Sequence, residues 1–369
     1  MSRSLIPASL IQLTALLGEV LGGPIVPNIV LGRDICTLAF RHQVAPLLSG
    51  IAESGRHSVP EDVVTDLQRA YRASATRRLA AISVLESIAD RFSRSDITWM
   101  AFKGTTQAEQ LYLDPAWRES SDIDLLVPPD QFGRALDALV AMGFVASYPP
   151  VPQRGLFRRM VLCAVRDVML VARANPTDSV ELHRRLFFAE GRHVDFLTLP
   201  VTDGRIPVPQ IGSDLAFYLI AHGSLSYWIR LKWLVDLVPV LARLKDNELS
   251  AIRARASSAR SESAAAASLL LLRTLFPFVA LGPLDEWITE MSSRKAVRHR
   301  FNLYAKSLGS DERETPSPLN DARAMLEAAL LVFEAPSTRA RILIDAPFSS
   351  AMRRLACLIY RTDRSLTLS

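Results

Sequence analysis

A chain of 369 residues is long enough for two domains with substantial cores. Hydrophobic residues make up 49% and charged residues 22%, which is the balance of a soluble globular protein; the three cysteines, Cys36, Cys163 and Cys357, stand too far apart for a metal-ligand spacing and read as reduced thiols of a cytosolic protein. A net charge of +5, carried mostly by arginine, favours anionic partners, nucleotides above all; RNA is compatible with it, but so mild a charge does not establish nucleic-acid binding.

The chain opens with an apolar pattern from Ser4 to Leu21, with Leu10, Leu13, Leu16, Leu17 and Val20 at helical spacing. Gln12 and Glu19 within it argue for an amphipathic helix and against a signal peptide. A second helix is expected over Arg33 to Leu48, with Pro46 as an early stop and His42 as a surface or core histidine. Pro60, followed by Glu61 and Asp62, starts a long helix running to Phe92, because acidic residues complement the dipole of a first turn. Residues 1–93 are therefore expected to form a helical region leading into a sheet.

An apolar run from Ile97 to Phe102 then closes on Lys103, Gly104 and Thr105, which reads as a strand entering a glycine turn and a helix over Thr106 to Tyr112. Glycine there lets backbone N–H groups approach a phosphate, the helix N-terminus adds free donors, and Lys103 supplies charge. The next strand, Asp122 to Val127, alternates: Ile123, Leu125 and Val127 face a core, leaving Asp122 and Asp124 side by side on the other face. Two carboxylates about 7 Å apart along a strand can converge on a divalent cation, and hard oxygen ligands suit Mg²⁺, or Mn²⁺, beside substrate phosphates. Standing alone, the alternation equally fits a half-buried edge strand showing charge to water.

The combination does not stand alone. An apolar strand ending in Lys103-Gly104, a helix, then Arg118, Ser121 and Asp-Ile-Asp-Leu-Leu-Val resembles the uncharacterised bacterial nucleotidyltransferases of the DNA polymerase β-like superfamily. It is also similar to the nucleotidyltransferase toxins of abortive-infection systems. The resemblance covers roughly Arg41 to Leu237 and departs from the family's Gly-Ser or Gly-Gly turn by having Gly104-Thr105. It implies an α/β (α+β) core with a small mixed sheet, a triphosphate held at the turn, metal on Asp122 and Asp124, and a third carboxylate on a later strand.

Downstream, Pro128 and Pro129 stop the strand, and Asp130 is expected to cap a helix over Gln131 to Met142. A proline-rich linker, Tyr148 to Pro152, leads to apolar runs at Met160 to Val165, Val168 to Ala172 and Ser179 to Leu182. In Ser-Val-Glu-Leu-His, Val180 and Leu182 face the core and Glu181 points to the aspartate side. The resemblance makes Glu181 the third carboxylate, completing the metal shell or acting as general base. Three such carboxylates are expected to repel one another until a cation arrives. His183, at the same parity, either meets a phosphate, orients Glu181, or has no catalytic duty.

Asp214 to Leu237 reads as two helices parted at Gly223 and Ser224, with His222, Arg230, Lys232 and Asp236 embedded in an apolar segment. Trp228, Lys232 and Asp236 fall on one stripe of the second helix. An i,i+4 salt bridge accounts for Lys232 and Asp236 by spacing; the resemblance implies instead the Lys-x-x-x-Asp element of the toxin nucleotidyltransferases, in which Lys232 meets the triphosphate, and His222 is a further nucleotide-binding candidate. Further helices are expected over Glu248 to Phe276, Asp285 to Ser307 and Asp321 to Phe333, with a polar linker at Gly309 to Leu319 and a basic amphipathic tail from Arg353 to Arg364.

The expected organisation is a helical region over residues 1–93, a catalytic core over 94–205 and a helical domain over 206–369. The expected activity is metal-dependent transfer of a nucleoside monophosphate from an NTP to an unidentified acceptor, in a soluble, cytoplasmic protein without a membrane partner. A catalytically silent nucleotide-binding scaffold and an RNA-modifying toxin are the alternatives.

Overall fold

The computed structural model describes residues 5–175, 179–187, 199–310, 322–334 and 336–360. The chain divides into two compact units, each assembled from separated stretches: residues 1–76, 108–119 and 211–336 form one, and 77–107, 120–210 and 337–369 the other. Among the described residues no helix is long and apolar enough to cross a membrane.

The first unit is helical. It contains α1 (Ala8–Val20), α2 (Arg33–Arg41), α3 (Ala45–Glu53), the opening half of α4 (Glu61–Arg94) and, later, α8 (Ser213–Leu225), α9 (Leu231–Leu241), α10 (Asp246–Ser258), α11 (Glu262–Leu275), α12 (Leu284–Ser292), α13 (Lys295–Gly309) and α14 (Ala322–Val332). Helix α11 is its centre. Residues Ser263 to Leu272 are buried on every side, and the helix packs on α8, α12 and α13, so its all-round apolar character is that of a core helix.

Several expected single helices are two, and the physical reason recurs. Arg33 to Leu48 breaks after Arg41 because Gln43 takes φ 56°, and the Val44 and Gln43 N–H groups bond back to the Ala39 and Phe40 carbonyls. Pro46 then sits in the first turn of α3, starting a helix where it was expected to stop one. Helix α8 runs through Gly223 and ends at Leu225, where Tyr227 and Trp228, at φ 52° and 54°, make the same kind of closure; Trp228 therefore lies in the loop and not on the stripe with Lys232. Its buried indole folds over Gly223, where a Cβ would sit 2.4 Å from the ring. The Glu248 to Phe276 segment likewise divides at Ala259–Ser261, where Arg260 takes φ 49°, while the Asp285 to Ser307 segment divides at Ser293–Arg294 with both residues at negative φ.

The second unit carries the sheet. Its strands are β1 (Met100–Ala101), β2 (Ile123–Leu126), β3 (Phe144–Tyr148), β4 (Asp167–Ala172) and β5 (Ser179–His183), in spatial order β1-β2-β5-β4-β3. Only β2 and β5 are parallel; the other neighbours are antiparallel, so the sheet is small and mixed. Ile123, Leu125, Val180, Leu182, Val168 and Leu170 form one face and pack on the second half of α4, on α6 (Phe132–Ala141) and on Met352 and Ala356 of α15 (Pro336–Tyr360). Sequence reading missed β3, and the apolar run at Met160 belongs to helix α7 (Leu156–Ala164). Asp130 does not cap α6: Gln131 holds that position, and its side chain accepts a hydrogen bond from the Thr98 N–H. Of the expected linker and tail, residues 311–321 and 361–369 lie outside the described residues.

Candidate active site

The register of β2 on β5 builds the site. Asp124 is paired directly with Glu181, and Leu126 with His183, so the alternation that buries Ile123, Leu125, Val180 and Leu182 puts Asp124, Glu181 and His183 on the opposite face. From the other side of β5, Asp167 of β4 stands opposite His183. Asp124 and His183 are buried, while Glu181 is half-buried.

These groups are interleaved by sign. Lys103 Nζ donates to Asp124 Oδ1 at 2.7 Å, and His183 Nε2 lies 3.1 Å from the same oxygen and 3.2 Å from Glu181 Oε2. Burial works to raise the pKa of Asp124, but Lys103 and His183 outweigh it and hold the carboxyl well below its ordinary range. Burial pulls His183 down, and its bonds to Asp124 and Glu181 more than restore it, leaving its pKa raised. The expected crowding of uncompensated carboxylates is thus corrected: Lys103 supplies the opposite charge to Asp124, and the His183 imidazole stands between Asp124 and Glu181.

The turn before α5 (Gly104–Leu111) completes one wall. Gly104 has φ +59°, and a Cβ there would meet Ser120 Oγ at 2.4 Å, so both backbone and space require glycine. Lys103 precedes it at φ 125°. Lys103, Thr105, Thr106, Asp122 and Asp124 line one shallow recess over Leu85, Ala101 and Ile123. Asp122 is partly exposed at its edge, just before β2, with Ser121 Oγ 3.5 Å from its Oδ1. The structure therefore brings Lys103, Gly104, Thr105, Ser121, Asp122, Asp124 and Glu181 together in the second unit.

The other four sequence candidates belong to the first unit. Arg118 Nε donates to both oxygens of Asp236, at 2.7 and 2.9 Å, and Tyr112 OH donates to Asp236 Oδ1 at 2.6 Å, forming a buried network. Burial and then Asp236 push the Tyr112 hydroxyl well above its ordinary pKa. His222, on α8, lies between Tyr218 and Trp233, with ring centroids at 5.8 and 5.2 Å. Lys232 is half-buried on α9, and its backbone N–H bonds the His42 carbonyl.

Asp124, Glu181 and His183 each offer a ligand atom within 4.8 Å of the others, a donor set that fits a divalent cation. His183 was not singled out as a ligand by its sequence position; the signal was its parity with Glu181, but the register of β5 beside β2 was needed to use it. Asp167 carried no motif at all.

No curated protein and no solved structure matches the chain. The family model described as an uncharacterised nucleotidyltransferase matches residues 33–277, a wider stretch than the sequence resemblance covers, and the match does not bear on the toxin-type relatives. With that match over most of its length, the chain belongs to the uncharacterised nucleotidyltransferase family and is a transferase.

Proposed function

We propose that the protein transfers a nucleoside monophosphate from an NTP to an acceptor hydroxyl in a reaction that requires Mg²⁺ or Mn²⁺. The observation that carries this reading is the direct pairing of Asp124 with Glu181 on parallel strands, with Asp124 lining a recess together with Lys103, Thr105 and Asp122. The acceptor oxygen bonds to the α-phosphorus, the bond to the β-phosphate bridging oxygen breaks, pyrophosphate leaves, and the hydroxyl proton passes to Glu181 or to water.

Asp122, Asp124 and Glu181 are the residues that would hold the cation. When bound, it supplies positive charge for the α-phosphate and the leaving group and lowers the pKa of the attacking hydroxyl. Thr105 and the first N–H groups of α5 face anionic oxygens, and Lys103 adds charge that can move from Asp124 to the triphosphate. Ser121 holds the edge of the recess beside Asp122. Lys232 and Asp236 are assigned to the nucleotide on the family resemblance, with Arg118, whose guanidinium can pair with a phosphate, and His222 as further candidates, and Lys232→Ala is expected to raise the KM for NTP. Because the NTP pool is cytoplasmic, so is the proposed reaction.

The test is transfer of label from α-labelled NTPs, with Mg²⁺ or Mn²⁺, to small-molecule, protein and RNA fractions. Wild type should release pyrophosphate and label one fraction, and Asp124→Asn should reduce this at least about 100-fold, as expected for loss of a charge that acts in the transition state. Label recovered in RNA would identify the acceptor as RNA. Full activity in Asp124→Asn would overturn the reading.

A further inference from the structure

We propose that His183 is a nitrogen ligand of the catalytic cation, with Asp167 fixing its ring, so that the site prefers a first-row transition ion such as Mn²⁺ over Mg²⁺. The proposal rests on the nucleotidyltransferase reading for what the cation does, and on geometry for who holds it. His183 Nε2 is the atom aimed between the two carboxylates, 3.1 Å from Asp124 and 3.2 Å from Glu181, and the three donors fall within 4.8 Å of one another. Asp122, one residue before β2, lies outside this cluster, so two of the three carboxylates assigned to the cation fall in it.

What sets the ring is equally specific. The imidazole and the Phe102 ring pack in a T-shaped pair, with centroids 5.0 Å apart and an interplanar angle of 78°. Its second nitrogen, Nδ1, is buried and makes no hydrogen bond within normal distance, yet it faces Asp167 Oδ2 at 3.9 Å. Asp167 is itself held on both oxygens, by Arg166 Nε at 2.6 Å and by Arg353 from α15 at 2.6 Å. A ligating imidazole ordinarily gives its far N–H to a carboxylate, which fixes the tautomer and leaves the near nitrogen free to bind metal. A small movement of the ring toward Asp167 would make that bond while opening space between Nε2 and the carboxylates.

The donor chemistry then decides the ion. Mg²⁺ favours an all-oxygen shell and keeps several waters, whereas an imidazole nitrogen favours first-row transition ions over Mg²⁺. With the His183 imidazole added to the carboxylates, the donor set stands on the transition-metal side.

The test uses Mn²⁺ as the probe on the full chain without nucleotide. Pulsed paramagnetic resonance of bound Mn²⁺ should show coupling to one directly coordinated nitrogen in the wild-type protein, and calorimetry should show tighter binding of Mn²⁺ than of Mg²⁺. His183→Ala should remove the nitrogen coupling and weaken Mn²⁺ at least about tenfold, and Asp167→Asn should keep the coupling while weakening Mn²⁺ roughly 10–100-fold. Bound Mn²⁺ without nitrogen coupling in wild type would overturn the proposal whether or not the variants fold. NTP consumption without that coupling removes the ligand assignment and leaves nucleotidyl transfer standing; coupling without NTP consumption does the reverse.

Discussion

Lys103 Nζ lies 2.7 Å from Asp124 Oδ1, so the residue proposed to meet a triphosphate sits on a carboxylate oxygen proposed to hold the cation. Lys103 is one-fifth exposed while Asp124 is almost wholly buried, which makes the pair a partly desolvated one. Removing the cationic partner leaves a buried carboxylate short of counter-charge. Lys103→Met is therefore expected to destabilise the metal-free protein by about 3 kcal/mol. It should also enlarge the rise in melting temperature produced by Mn²⁺ or Mg²⁺, because the cation then takes over the missing role. Calorimetric melting with and without cation checks this; an unchanged cation-dependent rise would show that Lys103 and the cation do not compete for Asp124.

Gly104 is under two constraints that can be separated. Its φ of +59° disfavours any L side chain, and a Cβ would lie 2.4 Å from Ser120 Oγ. Gly104→Ala should cost about 1–2 kcal/mol from the backbone alone and weaken NTP binding measured by calorimetry. Adding Ser120→Ala removes the hydroxyl contact and should recover part of the loss, leaving the backbone share. NTP affinity equal to wild type in Gly104→Ala would show that the turn does not hold phosphate.

Gly223 tests the helical unit independently of the site. A Cβ at this position would lie 2.4 Å from the Trp228 indole, which is wholly buried and donates from Nε1 to Ser268 Oγ. Overpacking of this kind costs about 1–3 kcal/mol, although alanine would otherwise favour a helix. Gly223→Ala is expected to lower the denaturation midpoint and to alter Trp228 fluorescence. A more stable variant would mean that the indole packs elsewhere.

His42 gives a signed pH dependence. Burial, followed by Arg41 and Arg230, pushes its pKa down from 6.5 to about 3, and Nδ1 accepts a hydrogen bond from the Leu231 N–H at 3.3 Å. The unfolded chain takes up this proton near pH 6.5, the folded protein only near 3, so stability falls as pH falls through that window, by about 1.4 kcal/mol per unit. His42→Gln keeps an acceptor for Leu231 and should flatten the loss of stability between pH 6 and pH 4. Parallel pH profiles for the two proteins, measured by denaturant unfolding, would expose the error if they coincide.

Local periodicity made the strands of the candidate site legible. Ile123, Leu125 and Val127 alternate with Asp122 and Asp124, and Val180 and Leu182 with Glu181, so each strand names its own buried face from adjacent residues. The 34-residue α4 was equally readable, since Pro60 and the acidic Glu61 and Asp62 mark its start and its stripe persists to Arg94. Breaks made by Gln43, Tyr227 and Trp228 were not, because non-glycine residues in left-handed backbone leave no compositional signal.

By itself, then, the sequence determined which residues share a face and which turn needs glycine, because these depend on the strand period and on local sterics. Tertiary structure alone decided neighbours. Whether Asp124 meets Glu181 depends on the register of two strands far apart in sequence, and His183 stands across the ladder from Asp167, which is held by Arg353, 186 residues from that aspartate. Asp236 looked like half of an i,i+4 pair, yet it is held by Arg118, 118 residues away, and by Tyr112. Parity fixes a direction along one element; only the packing of elements fixes what stands in that direction.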